Sequence, residues 1–194
     1  MAGDPYQVFD DPYCYPGTNV LKNRAGLRDA ETLEQFELEM VALRAEEGPP
    51  RGNFTHVHYR RVHRHLFQDV YDWAGKDRTI RTGKGGNWFC FPEHIDGEMA
   101  RLFAQVKRSP FLPGARPDGF VPALAHFLGE LNAIHPFREG NGRTQLVFAR
   151  MLGLRSGNPL RLAAIEAEPF LAAMIASFAG DLAPLIDELQ RLSA

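Results

Sequence analysis

The sequence predicts an all-α domain that carries one small β-hairpin. Most segments of the 194-residue chain repeat apolar residues at helical spacing. Between Ile80 and Phe89, by contrast, residues that favour strands flank a glycine-rich tip, which is typical of a hairpin. A hydrophobic content of 44% is enough to bury one sizeable core. We expect about eight helices in a single domain over residues 28–194, after an irregular arm at residues 1–27.

Three helices are predicted in the first part of the chain. Asp29 is a suitable N-cap for a helix that runs through apolar positions to Leu43. The second helix spans residues 55–73, and the third, after the hairpin, spans residues 95–107. A connector rich in proline and glycine follows at residues 109–119.

The rest of the chain begins with a helix whose apolar face ends at Ile134. Pro136 excludes His135 from helical backbone and so ends this helix. A second apolar helix starts at Thr144 and runs into Gly153. The remaining patterns are shorter and lie at residues 159–163, 169–178 and 182–192.

The most informative stretch is the connection between these two helices, which reads H-P-F-R-E-G-N-G-R-T-Q from His135 to Gln145. Glycine and asparagine at 140–142 tolerate positive φ and predict a tight turn, while Phe137 is expected to point into the core. The turn gathers N–H groups at the start of the second helix, where the helix dipole also favours an anion. A His-Pro helix end or a Gly-Asn-Gly turn alone is usually structural, but their combination indicates a nucleotide phosphate site.

The side chains of this stretch suit phosphate chemistry. Gly140 and Gly142 allow the backbone to approach phosphate oxygens closely, and Arg143 adds a permanently charged, forked donor. Glu139 offers a carboxylate oxygen for Mg²⁺, which usually binds one or two carboxylates together with substrate phosphates. His135 has an ordinary pKa of about 6.5, so it can act as a base near neutrality.

This stretch resembles the signature of the Fic family, H-x-F-x-[D/E]-G-N-G-R-x-x-R. The matching positions are His135, Phe137, Glu139, Gly140, Asn141, Gly142 and Arg143. Similarity extends to three other segments, namely D-P-Y-C-Y-P-G-T-N-V-L-K-N-R-A-G-L-R-D from residue 11, H-R-H-L-F-Q-D-V-Y-D-W-A-G from residue 63 and T-I-R-T-G-K-G-G-N-W-F-C from residue 79. The resemblance covers most of residues 11–155.

The resemblance implies a Fic fold built around this motif, and transfer of AMP from ATP to a hydroxyl side chain of a target protein. By position, His135 is the implied base that deprotonates a Ser, Thr or Tyr of the target, and Glu139 is the implied Mg²⁺ ligand. The implied cradle for the nucleotide phosphates consists of Gly140, Asn141, Gly142 and Arg143.

The hairpin is similar to the family's flap, which lies beside the active site. An exposed strand edge can hold an extended target segment by β-augmentation, and Thr82, Gly83 and Gly86 are the residues predicted to do so. Lys84 and Gly85 are predicted to contact the nucleotide phosphates, Lys84 as a point charge. The alternative is that the glycine-rich tip is only a turn, which is the preferred interpretation without the neighbouring motif.

One position departs from the family pattern. The second arginine of the signature corresponds to Leu146, and in relatives that arginine holds the γ-phosphate. A lost charged contact to phosphate costs about 1.5–3 kcal/mol, or about 10- to 100-fold in rate. Arg150 lies roughly 6 Å further along the helix axis and is interpreted as a solvated surface residue rather than a substitute. Transfer is therefore expected to be slow, differently oriented or lost.

Regulation by a separate protein is also implied by the resemblance. Many family members are inhibited by a helix that carries [S/T]-x-x-x-E-[G/N]. Neither Glu47-Gly48 nor Glu139-Gly140 has Ser or Thr four residues earlier. This pattern is typical of the toxin of a toxin–antitoxin pair, in which a small antitoxin protein supplies the inhibitory glutamate. Because Leu146 removes the expected partner of that glutamate, inhibition is expected to be weak or to follow another route.

Two other functions stay open. A degenerate Fic fold that only binds a nucleotide or a partner protein is compatible with Leu146. Transfer of another group, such as UMP, a phosphate or phosphocholine, is also compatible. Gly142 argues against the kinase-like branch of the family, which carries lysine at that position.

Composition argues against several other classes of protein. A net charge of −2 is not typical of direct nucleic-acid binding. No apolar run is long enough to span a bilayer, and the N-terminus does not resemble a signal peptide, so no membrane role is expected. Cys14 and Cys90 form no disulfide framework, which favours a reducing cytoplasm.

The histidines at positions 56, 58, 63 and 65 lack zinc-site spacing and are interpreted as surface or packing residues.

Overall fold

The computed structural model describes residues 11–84, 86–108 and 110–193. Within these ranges it contains seven α-helices, which are α1 (Ala30–Glu47), α2 (His56–Phe67), α3 (Ile95–Ala104), α4 (Pro117–Ile134), α5 (Asn141–Ser156), α6 (Ala167–Phe178) and α7 (Ala183–Ser193). An antiparallel hairpin of β1 (Gly83–Lys84) and β2 (Asn87–Trp88) lies between α2 and α3. The predicted all-α architecture with one hairpin is confirmed. Only a short 3₁₀ turn, Leu162–Ala164, forms near the pattern at 159–163.

Helix α4 lies at the centre of the molecule and packs against α3, α5, α6 and α7. Its apolar residues are buried along nearly its whole length. The rings around it form a continuous aromatic core that includes Tyr59, Phe103, Phe127, Phe137 and Phe148. Since both α4 and α5 are packed in this core, the short connection between them is held from both ends.

Helix α1 begins where the sequence predicts, because the Asp29 carboxylate accepts a hydrogen bond from the Thr32 N–H at 2.8 Å. Its buried face differs from the predicted one. Leu43, counted among the apolar positions, is 56% exposed. Of the predicted apolar positions, Leu33 and Val41 are buried, but the third buried residue of α1 is Glu37, so a carboxylate occupies the middle of the buried stripe.

Helix α2 is shorter than predicted. Thr55 caps its N-terminus, but the helix ends at Phe67 and not at residue 73. The chain then turns, and the rings of Tyr71 and Trp73 stack with centroids 4.3 Å apart. Gly75 completes the turn with φ of 80°, at a point where a Cβ would lie 2.7 Å from Arg64 Cβ. Helical periodicity of the side chains does not reveal this backbone reversal.

Helix α5 is longer than predicted at both ends. It starts at Asn141, before the predicted Thr144, and it continues through Gly153 to Ser156. Gly157, with φ of 85°, is the residue that ends it. Gly153 instead permits a close approach, because a Cβ there would lie 2.5 Å from the backbone oxygen of Asn158.

The described part of the predicted N-terminal arm, residues 11–27, packs on the core through Cys14, Val20 and Leu21. Asp11 forms a buried salt bridge of 2.6 Å with Arg138, within the α4–α5 connection. Residues 1–10 lie outside the described ranges, and the proposed domain limit at residue 28 stays a prediction. Cys14 and Cys90 are thiols and are not joined in a disulfide. None of the helices in the described ranges has the length and apolar composition that a membrane crossing requires.

Candidate active site

His135 ends α4 in the left-handed region, with φ of 48° and ψ of 64°. Its imidazole is buried and stacks on the Phe89 ring, with centroids 3.8 Å apart and planes within 3°. Burial, together with the positive charges of Arg78 and Lys84, lowers the pKa of His135 to about 3. The pKa near 6.5 that the sequence predicts is therefore wrong for the free protein, because the buried imidazole stays neutral near neutral pH and is a weak base there.

Arg78 holds the backbone at the end of α4. Its buried guanidinium donates to the carbonyl oxygens of His135 at 2.8 Å and Ile134 at 3.2 Å. The Cys90 N–H donates to the preceding carbonyl, that of Ala133, at 3.1 Å. The last carbonyls of a helix lack intrahelical partners, and a cation is favourable there. Residues on either side of the hairpin thus fix the backbone that carries His135.

Asn141 closes the α4–α5 connection on itself. Its side-chain amide accepts from the Phe137 N–H at 3.0 Å and donates to the Phe137 carbonyl at 2.7 Å. Asn141 is 2% exposed and is not among the residues that line the cavity, so its side chain shapes the loop, and its predicted place in the phosphate cradle stays a prediction. Phe137 is fully buried, as predicted, and stacks on Tyr59 and His63.

The two motif glycines lie in different surroundings. Gly140 has φ of 79°, and a Cβ there would lie 2.3 Å from the Phe67 ring. A Cβ at Gly142 would instead meet open space, and this glycine lines the cavity described below. Because α5 starts at Asn141, the first N–H groups of the helix have no partners within it. They lie where the sequence predicts a phosphate.

Glu139 and Arg143 lie next to each other at this helix start. The Glu139 carboxylate accepts from the Gly140 N–H at 2.8 Å and lies 3.5 Å from the Arg143 guanidinium. Arg143 also donates to Glu37 of α1 and lies over the Phe67 ring, 4.8 Å from its centroid. Burial, and then the charge of Glu37, raises the pKa of Glu139.

His63 holds the α4–α5 connection in place through hydrogen bonds at both ring nitrogens. One ring nitrogen bonds the Glu139 carbonyl at 3.0 Å, and the other accepts from the Gly75 N–H at 2.8 Å. Because the second nitrogen accepts, the proton lies on the first. Burial lowers the pKa of His63 to about 3, which keeps the ring in this neutral form. His63 therefore joins α2, the Gly75 turn and the motif loop.

A cavity of about 610 Å³ opens beside the motif. Its lining includes the charged or ionisable groups His135, Glu139 and Arg143, together with Lys84 from the hairpin. Its lining also includes an apolar set, which we call the apolar wall and define as Leu128, Leu146, Ile165, Phe170, Leu171, Met174, Ile175 and Phe178. Such a cavity suits a ligand that combines an anionic group with a flat apolar body.

The predicted site residues of the hairpin differ in exposure and in their position relative to the cavity. Lys84 is exposed and lines the cavity, and Gly86, with φ of 84°, forms the turn. Gly83 is buried against Trp88, since a Cβ there would lie 2.6 Å from the Asn87 carbonyl oxygen. Gly85 lies outside the described residues.

Thr82 does not fit a docking role through its side chain. It is fully buried, and its carbonyl already accepts from the Phe89 N–H at 3.1 Å.

The residues found here but not in the predicted site are Glu37, His63, Arg78 and Phe89. They come from distant parts of the chain, and His63 and Phe89 lie in segments that resemble the family without a role having been assigned to them. Glu37 could also have been found from the sequence, because its spacing of four from Leu33 and Val41 places a carboxylate in a buried helical stripe. Within the described residues, no group of three or more His, Cys, Asp or Glu side chains is arranged to hold a metal ion.

Comparison with known proteins identifies the family. The model of the Fic/DOC family matches residues 53–152. A probable protein adenylyltransferase of Sinorhizobium fredii is 52% identical over 188 residues, which cover 96% of this chain and 98% of that relative. This chain belongs to the Fic/DOC family.

Other Fic proteins support the same assignment. The probable protein adenylyltransferase Fic of Escherichia coli is 38% identical over 178 residues, which cover 90% of this chain and 88% of the relative. The crystal structure of the Bartonella tribocorum effector BepC, which contains bound AMPPNP, has a TM-score of 0.85 and 26% identity. The structural match covers 94% of this chain and 96% of the BepC chain. The predicted Fic fold is confirmed.

The departure from the Fic signature lies in the cavity itself. Leu146 lines the cavity and packs against the core, so an apolar side chain faces the space that the second arginine would occupy. Arg150 is exposed and is not among the residues that line the cavity. It lies where the sequence predicts it, on the surface of α5.

Proposed function

We propose that this chain is a protein adenylyltransferase that transfers AMP from ATP to a Ser, Thr or Tyr hydroxyl of a target protein. The observation that carries the proposal is that His135 and Glu139 line one cavity together with the glycines at the start of α5. Family membership and relatives named as adenylyltransferases support it. The apolar residues that α6 contributes to the cavity have the chemistry to receive the adenine base.

In the proposed reaction the target hydroxyl attacks the α-phosphorus of ATP. His135 takes the hydroxyl proton, the new phosphoester bond forms, and the bond to the β-phosphate breaks to release pyrophosphate. With a pKa of about 3 the free imidazole is a weak base. Negative phosphate charge nearby raises the pKa of an imidazole, so binding of ATP strengthens His135 as a base.

Glu139 has the chemistry to hold Mg²⁺ together with phosphate oxygens of the donor. Magnesium usually binds one or two protein carboxylates and keeps the rest of its shell for water and phosphate. Glu139 fits this demand, because burial and Glu37 raise its pKa and a cation would offset that unfavourable charge. Bound there, the ion would neutralise phosphate charge.

The test is labelling of a bacterial lysate with ATP that carries a label on its α-phosphate. We expect the chain to label one or a few proteins. We expect His135→Ala to lower the labelling by about 10²–10⁴-fold, because general-base assistance is lost. Equal labelling by the two proteins would overturn the assignment of His135. Mass spectrometry of the labelled sites identifies the hydroxyl and the transferred group.

A second candidate is a nucleotide-binding or partner-binding module without transferase activity. Leu146 favours it, since an apolar side chain replaces the second cation of the Fic signature in the cavity lining. ATP binding measured by calorimetry, without transfer to any lysate protein, would support this candidate. Parallel labelling with UTP, γ-labelled ATP and a phosphocholine donor tests transfer of other groups.

For partners, we propose a hydroxyl-bearing target protein and a separate small antitoxin protein that supplies an inhibitory glutamate. We propose no direct nucleic-acid or membrane partner. The thiols of Cys14 and Cys90 are compatible with the predicted cytoplasmic location, which stays a prediction.

A further inference from the structure

Glu37 occupies an unusual place for a carboxylate. It lies in the middle of α1, one turn from Leu33 on one side and from Val41 on the other, and all three are buried. Glu37 is 7% exposed. A buried charge is costly unless it is paired and hydrogen-bonded, so a structural role alone would favour leucine at this position.

The partner of Glu37 is Arg143, which is 106 residues away in sequence and lies in the first turn of α5. The Arg143 guanidinium donates a short hydrogen bond to one oxygen of Glu37. The second oxygen is buried and has no hydrogen-bond partner of good geometry among the described residues. The Tyr71 hydroxyl also interacts with the Glu37 carboxylate, and burial followed by the charge of Glu37 raises the pKa of Tyr71. Glu37 therefore forms its ion pair with Arg143, which is a residue of the candidate active site.

Arg143 is held on three sides. Glu37 accepts from it, the Glu139 carboxylate lies 3.5 Å away, and the Phe67 ring lies under the guanidinium carbon. The Arg143 side chain nevertheless remains 32% exposed and lines the cavity. An unrestrained arginine has large rotamer entropy that is lost when it binds phosphate. These contacts restrict it before a ligand arrives, which lowers that cost.

We propose that Glu37 is a positioning residue of the phosphate site, which acts through Arg143. The inference rests on the proposed function, because it assigns Arg143 to the phosphates of the nucleotide. Glu37 is not among the residues that line the cavity, so it does not touch the donor itself. It extends the site to α1, which lies outside the segment that matches the family model.

The test compares Glu37→Leu with the parent chain in calorimetric titrations with ATP and Mg²⁺. Leucine has nearly the volume of glutamate and suits the buried stripe between Leu33 and Val41, so this variant is expected to fold. We expect ATP to bind about 10- to 100-fold more weakly, because Arg143 loses its charged partner and its fixed orientation. Glu37→Gln keeps an oxygen acceptor and should recover part of the affinity. Glu34→Ala, an exposed position on the same helix, is the matched control and should bind ATP normally.

A double-variant cycle with Arg143→Ala separates positioning from general damage. If Glu37 acts through Arg143, Glu37→Leu in the Arg143→Ala background should change ATP affinity by less than about twofold. Unchanged affinity in the Glu37→Leu single variant would overturn the proposal, and so would additive losses in the double variant. If the parent chain itself bound no ATP, the proposed function would fail and not this inference alone.

Discussion

Single residues of the motif loop serve different purposes although they are adjacent in sequence. Asn141 bonds the loop to itself, Gly140 permits contact with an aromatic ring, and Gly142 leaves an open surface. The signature residues that line the cavity are His135, Glu139, Gly140, Gly142 and Arg143. The signature therefore combines residues that build the loop with residues that face a ligand.

The two glycines give a matched pair of variants. Gly140→Ala places a Cβ 2.3 Å from the Phe67 ring at a backbone with φ of 79°. We expect the free energy of unfolding to fall by about 1–3 kcal/mol or more, through steric overlap and backbone strain. The Cβ of Gly142→Ala would lie in open space, so this substitution should change the free energy of unfolding by less than about 0.5 kcal/mol. Urea denaturation of both variants checks this, and equal stability of the two would contradict it.

Leu146 gives a second prediction at the scale of one residue. Leu146→Arg restores a cation to the cavity wall, so we expect kcat/KM for transfer from ATP to rise by about 10- to 100-fold. Leu146→Met keeps the apolar character and serves as the control. Steady-state labelling with α-labelled ATP measures the change. No gain with arginine would show that phosphate charge at this position does not limit turnover.

At the scale of elements, the hairpin is joined to the active site through its ends. Arg78 before it and Cys90 after it bond the last carbonyls of α4, and Phe89 covers the imidazole of His135. The Lys84 side chain reaches the cavity from the hairpin itself. Movement of the hairpin base would therefore also disturb His135.

A substitution of Thr82, at the base of the hairpin, tests whether its buried hydroxyl takes part in target docking. Its hydroxyl is buried and finds no hydrogen-bond partner in the described part of the chain, so Thr82→Val removes an unsatisfied polar group. We expect the free energy of unfolding to stay the same or to rise by about 1 kcal/mol, with transfer unchanged. The control is Thr144→Val, because the Thr144 hydroxyl donates to the Gly140 carbonyl at 2.8 Å and its loss should destabilise the loop. A Thr82→Val variant that folds normally but fails to label the target would instead assign Thr82 to target docking.

At the scale of the molecule, segments far apart in sequence surround the motif loop. Asp11 pairs with Arg138, Glu37 with Arg143, and His63 with the backbone of Glu139. The loop between α4 and α5 is thus fixed by the arm, by α1 and by α2. Two of the buried groups in this assembly, His63 and His135, have pKa values lowered to about 3.

These two histidines predict how stability depends on pH. The unfolded chain binds a proton at each as the pH falls through about 6.5, whereas the folded chain resists protonation until about pH 3. The unfolded state then binds more protons, so the free energy of unfolding decreases as the pH falls from about 6.5 towards 5. Each histidine contributes a slope of up to about 1.4 kcal/mol per pH unit. Urea denaturation across this range should give a smaller slope for His135→Ala, and equal slopes would contradict the lowered pKa of His135.

Much of the fold could be predicted because helical periodicity and capping are local. Asp29 and Thr55 cap α1 and α2, and Pro136 ends α4 at His135. The errors came where one residue type serves two purposes. Gly153 lies inside α5 and not at its end, and α2 stops at Phe67, before a turn that Gly75 completes. Spacing alone does not distinguish a glycine that ends a helix from one that permits a close contact.

By itself the sequence determined the chemistry of the motif and its helix–loop–helix frame, because these depend on neighbouring residues and on backbone preferences. Only the tertiary structure decided which residues surround that motif. Glu37, Arg78 and Phe89 reach it through packing between segments that are distant in the chain. Such contacts depend on how helices cross and which faces they bury, and no local pattern encodes that. The same packing buries Thr82 and brings a second carboxylate, that of Glu37, next to Arg143.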